Sequence, residues 1–280
     1  VAFNSPDGTA VWWAGPTGPL TPGPTEAVGA FRDLQVGVRE EGFRIAGGER
    51  VPSGARIWFR DLSRRGEPLG PLRTLTPTTA GELSALSLSE SGRWLAPVTD
   101  LGDDEILSLH DLESPASHQE IERRRSFAEL SVTESERGPV VFSTGYLPSA
   151  REIFLRAHRP APDGGYESEW LDIHPACRRT PRVARSSSGA MASWFDFRND
   201  RLELRVQGLG PESIVPMTVL STQGEPFFQA PLLTEGYLGA FLEEGWDQLR
   251  FVRRARDGSE REDQLFPQVA PWTRVVVASA

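Results

Sequence analysis

From Leu88 to Leu112 the chain reads LSESGRWLAPVTDLGDDEILSLHDL, in which apolar and polar side chains alternate on either side of two polar interruptions. Alternation with a period of two is the signature of half-buried strands. The stretch therefore predicts strand, turn, strand, acidic loop, strand. Four other segments are built the same way. VGVREEGFRIAGG centres on Gly42, LSVTESERGPVVF on Gly138, VARSSSGAMASWF on Gly189 and APLLTEGYLGAFL on Gly236. With Gly92 in the first stretch, the turn glycines fall 50, 46, 51 and 47 residues apart.

Each unit continues with a third alternating strand: ARIWFRDLS, EILSLHDLE, EIFLRAHRP, RLELRVQGL and QLRFVRRAR. A weaker fourth strand follows, as PLRTLT, HQEIERR, SEWLDIH, ESIVPMTVL and REDQLFP. Four strands repeated at intervals of 40 to 50 residues are the pattern of β-propeller blades. The expected fold is all-β, a single domain over 1–280 forming a six-bladed β-propeller with four-stranded antiparallel blades. Blades are expected at roughly 34–81, 82–126, 127–178, 179–224 and 225–272. The closing blade is expected to join 273–280 to 1–33, which would remove exposed sheet edges. In this register TAVWWAGPTGPLTPGP supplies a third and fourth strand. FNSPDGTAVWW also resembles the first turn of a unit, with Gly8 as its glycine.

Composition agrees with many turns and a modest core. There are 27 Gly and 23 Pro spread along 280 residues, and 8 Trp with 14 Phe to fill an interior. No apolar run approaches the 18 residues of a membrane-spanning helix. The net charge of −9 argues against binding nucleic acid or inserting into an anionic membrane. Every one of the 30 basic residues is Arg, so no lysine can serve as base or Schiff-base former. Cys177 is alone, which excludes an intrachain disulfide and an all-cysteine metal site. The chain begins at Val1 without Met or a charged-then-apolar leader, which fits a removed leader or an internal start.

NSPDGTAVWW (Asn4 to Trp13), SESGRWLAPVTDLGDDEILSLHDLE (Ser89 to Glu113) and, more loosely, RSSSGAMASWFDFRNDRLELRVQGL (Arg185 to Leu209) resemble the TolB-like propeller repeat. That repeat has a Ser-Pro-Asp-Gly turn between two strands, an acidic or Asn-containing loop, and a strand ending in Asp-Leu. The resemblance covers nearly the whole chain in period and two or three units in detail. It implies a bacterial, periplasmic or secreted platform. The family's members include parts of envelope complexes, propeller halves of serine peptidases and a pectic-oligosaccharide lyase, so the resemblance speaks to fold more than to function.

Catalytic signatures are scarce. No G-x-S-x-G occurs, and Ser186, Ser187 and Ser188 beside Gly189 read as a strand-to-strand turn. His110 and His158 fall on third strands, and His118 and His174 in fourth-strand regions, without metal-ligand spacing. Neither a catalytic residue, a cofactor nor a metal is expected. Trp13, Trp58, Trp94 and Trp194 read as core between blades. Arg123, Arg124 and Arg125, with Arg253, Arg254 and Arg256, read as charge protecting outer strands.

The loops between second and third strands carry the candidate site. They hold Asp100, Asp103, Asp104 and Glu105 in one unit, and Asp196, Arg198, Asn199 and Asp200 in another. A third holds Glu243, Glu244, Trp246 and Asp247. In a propeller these connections emerge on one face, so carboxylates distant in sequence would ring one opening and attract a basic partner. The expected function is a non-catalytic module holding a peptide or protein on that acidic face or in the central opening. The alternatives are a carbohydrate-active hydrolase or lyase and a structural subunit of an envelope assembly. The hydrolase would use Glu244 and Asp104 as acid and base, about 5 to 9 Å apart.

Overall fold

A computed structural model describes residues 2–5, 8–13, 21–26, 32–51, 54–75, 81–114, 117–124, 126–147, 152–171, 182–186, 189–198, 201–209, 218–221, 229–234, 237–243, 248–255 and 261–267. Side chains are described for 34–48, 54–75, 81–114, 117–124, 126–146, 154–171 and 183. All the described regular structure is β, and the chain divides into two compact units, 1–125 and 126–272.

Unit 1 begins with a three-stranded meander, β1 (Ala2–Ser5), β2 (Gly8–Trp13) and β3 (Thr21–Glu26). A four-stranded meander follows: β4 (Arg32–Arg39), β5 (Gly42–Val51), β6 (Gly54–Ser63) and β7 (Arg73–Leu75). The next is β8 (Glu82–Leu88), β9 (Trp94–Asp100), β10 (Glu105–Asp111) and β11 (His118–Arg124). Unit 2 opens with β12 (Phe127–Ser135), β13 (Gly138–Leu147), β14 (Glu152–Pro160) and β15 (Tyr166–Leu171). Then come β16 (Arg182–Ser186), β17 (Gly189–Arg198), β18 (Arg201–Leu209) and β19 (Thr218–Ser221). The last is β20 (Gln229–Thr234), β21 (Tyr237–Glu243), β22 (Gln248–Ala255) and β23 (Arg261–Pro267). Within each meander neighbouring strands are antiparallel and in chain order. First strands sit side by side, β4 against β8 in unit 1, and β12 and β20 on either side of β16 in unit 2. Ser186 pairs parallel with Leu233, fusing the last two meanders into one eight-stranded sheet.

The turn glycines set this register. Gly8, Gly42, Gly138 and Gly189 each pair with the residue three positions earlier, Ser5, Arg39, Ser135 and Ser186, so each closes a two-residue hairpin. Gly8 therefore closes a first turn of its own. β2 and β3 follow it as the N-terminal strands expected from TAVWWAGPTGPLTPGP. The strand expected at 273–280 lies outside the described residues.

Apolar alternation then sorts side chains onto two faces. On one face of the β4–β7 sheet, Leu34, Val36, Ile45, Trp58 and Leu62 form one cluster. On the other, Ala46, Ile57, Phe59 and Leu75 meet Leu86, Leu88, Leu95 and Leu112 of the β8–β11 sheet. The two sheets therefore pack face to face. In unit 2, Val140, Phe142, Leu155, Ala157 and Leu171 likewise pack with Val183 of β16. Trp94 departs from its expected place in the core. It is half-buried, with the Arg93 guanidinium 4.8 Å from its ring centroid.

One polar group sits inside the first of these interfaces. Arg44, on β5, is 1% exposed and faces the β8–β11 sheet. Its Nε and Nη2 donate to the two carboxylate oxygens of Asp61 at 2.6 and 2.9 Å. Its Nη1 donates to the Gly92 carbonyl at 2.9 Å and to Glu113 at 3.0 Å. Burial alone would weaken the Arg44 cation, but the bonds to Asp61 and Glu113 outweigh it and raise its pKa. Burial likewise opposes the Asp61 carboxylate, and Arg44, then Arg73 and Arg39, outweigh it and lower its pKa. Arg39 also reaches Glu113 at 2.9 Å. Backbone joins in: the Val38 amide donates to the Glu90 carbonyl.

The repeat motif is the other half of this clasp. Ser89 and Ser91 shape the turn, with the Ser89 hydroxyl accepting from the Trp94 amide at 3.1 Å. Asp111 accepts from the Arg93 side chain at 2.8 Å and from the Glu113 amide at 3.0 Å. The Leu112 amide donates to the Arg93 carbonyl at 2.8 Å, and Leu112 itself is fully buried. Asp-Leu thus ties the end of a third strand to the first turn and points Glu113 at Arg44.

Two outcomes follow. Asp61→Ala strands a buried cation and should lower unfolding stability by about 3 kcal/mol, whereas Glu113→Ala, at the half-exposed end, should cost about 1 kcal/mol or less. Urea midpoints compare them; equal losses would contradict the assignment. A Cβ on Gly37 would lie 2.5 Å from the Gly92 Cα. Gly37→Ala should therefore cost roughly 1 to 3 kcal/mol by overpacking, read in the same titration.

Candidate acidic loop site

The loop between β9 and β10 is short and fixed. The Leu101 amide donates to the Asp104 carbonyl at 2.8 Å, and the Gly102 amide to the Asp100 carboxylate at 2.6 Å. Gly102 has φ +89°, so the turn passes through a conformation glycine tolerates. Asp103 is exposed, Asp100 and Asp104 are half-buried, and Leu101 stands out at the tip.

Strand register gathers more charge beneath the loop. Asp100 pairs directly with Glu105 on β10 and with Glu82 on β8. Three carboxylates thus lie in a row on three neighbouring strands, an arrangement that works against sheet stability. Arg124 ends the row, opposite Glu105. The adjacent Arg123 side chain is fixed chiefly by Glu120, with a smaller pull from Asp104, and both raise its pKa. Glu82 was absent from the sequence expectation because the register shifts between Leu83 and Ala85. A hairpin counted without that irregularity puts Leu101, not Asp100, opposite Glu82.

The start of β6, at Gly54, comes to the same end of unit 1. A Cβ on Gly81 would lie 2.4 Å from the Asp100 carbonyl oxygen, and one on Gly54 2.9 Å from the Gly81 carbonyl oxygen. The corresponding residues of unit 2 occupy the matching places in their own meanders. Asp196 and Arg198 end β17, paired with Glu203 and Arg201, and Glu243 ends β21, paired with Leu249. Glu244, Trp246, Asp247, Asn199 and Asp200 lie outside the described residues.

The histidines have two different roles. His158 is fully buried, and its ring bridges the Ser143 hydroxyl at 2.8 Å and the Ser168 hydroxyl at 2.8 Å. That is a polar staple across β13, β14 and β15. His110 is 3% exposed, stacks on His118 with ring centroids 5.7 Å apart, and has no hydrogen bond at Nδ1. Burial, then the neighbouring His118, pushes its pKa down to about 4. His174 lies outside the described residues. Among the described residues no three His, Cys, Asp or Glu side chains are grouped to hold a metal ion.

No family model matches the sequence, and no curated protein matches it. Solved structures do match in three dimensions. TolB from Acinetobacter baumannii superposes with a TM-score of 0.65 at 12% identity, over 98% of this chain and 64% of that one. A chain of the nidogen/laminin complex gives 0.58 at 12% identity, over 95% and 92%. The tricorn protease gives 0.54 at 12% identity, over 94% of this chain and 29% of that one. The fold is a β-propeller, similar to that of TolB. This propeller spans 64% of the length of the TolB chain it matches. The meanders are its blades, and the acidic loops are connections between second and third blade strands. Identities of this size carry fold and not activity, since the matches include both a protease and a chain from a protein complex.

The buried histidine gives a pH test. His110 is neutral in the folded state down to about pH 4, while the unfolded chain takes up the proton from about 6.5. The stability it contributes is complete above 6.5 and drains away as pH falls towards 4, by roughly 3 kcal/mol in all. His110→Phe should flatten the dependence of the urea midpoint on pH across that window; an unchanged slope would refute it.

Proposed function

We propose that this propeller is a binding module whose acidic second-to-third-strand loops hold a basic segment of a partner protein. The supporting observation is the row Glu82, Asp100 and Glu105, extended by Asp103 and Asp104 in a loop of fixed shape. Like charges placed directly opposite one another weaken a sheet. Retaining them is the trade of stability for function that binding surfaces make. Exposed Leu101 among these carboxylates adds an apolar anchor inside a charged rim. By sequence, Asp196, Arg198, Glu243, Glu244 and Trp246 hold the corresponding second-to-third-strand loop positions of their own repeats, and the proposal extends to each of those loops separately.

The role is display rather than catalysis. A rigid array of blades holds its loops in place at little entropic cost on binding, and a net charge of −9 steers cationic partners towards it.

The triple variant Asp100→Asn, Asp103→Asn, Asp104→Asn tests this with a fluorescein-labelled hexa-arginine peptide followed by anisotropy. Binding should weaken at least tenfold, and wild-type affinity should fall steeply with added salt. Thermal stability should stay level or rise, by about 0.5 kcal/mol, as repulsion is relieved. Unaltered affinity in the folded variant would rule the site out.

A further inference from the structure

The connection between β6 and β7, Ser63 to Leu72, is long for a blade and built in detail. The Ser63 hydroxyl accepts from the Arg65 and Glu67 amides, both at 3.1 Å. The Ser63 amide donates to the Glu67 carbonyl at 2.7 Å, and the Gly66 amide to the Ser63 carbonyl at 2.9 Å. Further along, Leu62 bridges to Pro68 and the Leu69 amide donates to the Asp61 carbonyl at 2.9 Å. Arg60 Nε donates to the Gly70 carbonyl at 3.1 Å. The loop is thus laid back along its own strand and held there.

That support presents two leucines to solvent. Leu69 is 49% exposed and Leu72 40%, two of the five large apolar side chains that stand out among the described residues. Within the connection itself, residues 64–72 carry Arg64 and Arg65 against Glu67, a small positive balance on a chain of net charge −9. Arg60 and Arg73 flank it on β6 and β7, and Glu40 and Glu41 stand on the turn that Arg64 reaches. Asp61 is already shared between Arg44 and Arg73. Arg64 and Arg65 are exposed in the same connection as the leucines, and the Arg64 side chain donates to the Glu40 carbonyl at 3.2 Å. Two exposed guanidiniums and two exposed leucines in one fixed connection are more than solubility requires.

We infer that the Ser63–Leu72 lobe is a second docking surface, which takes an acidic segment of another protein carrying a leucine-type side chain. The match rests on charge and on form. Carboxylates of the segment meet the Arg64 and Arg65 guanidiniums, which accept carboxylates in a planar fork. An aliphatic side chain lies across Leu69 and Leu72 and removes both from water. Because the loop is already held by its own hydrogen bonds, binding orders little that is not ordered beforehand.

Fluorescein-labelled Glu-Leu-Glu-Glu-Leu-Glu serves as probe and Glu-Ser-Glu-Glu-Ser-Glu as its charge-matched control. The wild-type protein should bind the leucine peptide at least tenfold more tightly than the control. Arg64→Glu with Arg65→Glu, and separately Leu69→Ser with Leu72→Ser, should each weaken binding at least tenfold. All four side chains point outward, so the thermal midpoint should not move. If a variant does lose its fold, amide chemical-shift changes on titrating the wild-type protein decide instead, and they should concentrate within 60–73. Equal affinity for the two peptides, or shifts elsewhere, overturns the proposal. So does self-association that Arg64→Glu with Arg65→Glu abolishes, since the occupant would then be a second copy of this chain. Failure here leaves the acidic-loop reading untouched, because none of these residues belongs to it.

Discussion

A guanidinium that is 1% exposed must find its counter-charges on both sides of the gap that buries it, and Arg44 does so across two sheets. Asp61 supplies the near side and Glu113 the far side, while the Gly92 carbonyl accepts from the same Nη1 that reaches Glu113. This arrangement fixes the distance between the sheets, because an apolar contact tolerates sliding and a forked hydrogen bond does not. The close approach of Gly37 to Gly92 depends on it, and so does the alignment of Leu86, Leu88, Leu95 and Leu112 against Ile57 and Phe59. The Asp-Leu ending of the repeat acquires a physical meaning here. In the β8–β11 blade Asp111-Leu112 closes the blade's own first turn and, through Glu113, reaches the blade before it.

Both proposed surfaces are outgrowths of that rigid frame. The acidic loop extends the strand pair β9–β10, and the basic lobe extends β6–β7, at connections that the frame leaves free to vary. Blade strands must alternate to pack, but a connection need only return the chain to its sheet. Charge of opposite sign can therefore sit on neighbouring blades without disturbing the core that holds them.

The architecture was legible because its determinants are local. Gly42, Gly138 and Gly189 mark two-residue hairpins, and alternation in strands such as ELSALSL needs no knowledge of distant contacts. What could not be read depends on irregularity or on neighbours. Glu82 joins the acidic row only through the register shift near Ser84, which no pattern of residue types announces. Trp94 looked like core by position, yet Arg93 covers it from the solvent side. Arg44 lies in an alternating strand, and only the approach of a second sheet makes it interior. The pattern that marks ARIWFRDLS and PLRTLT as strands carries no signal for how the connection between them holds Leu69 and Leu72.

The span of the Arg44 clasp has a bearing on how the chain is made. Asp61 emerges from the ribosome 17 residues after Arg44, but Glu113 only after 69. At ordinary elongation rates of 5–20 residues per second that delay is about 3 to 14 s. Through this interval the nascent sheet carries a half-neutralised cation on a surface otherwise apolar. The bonds that lock the interface are therefore completed only once the following blade has been made.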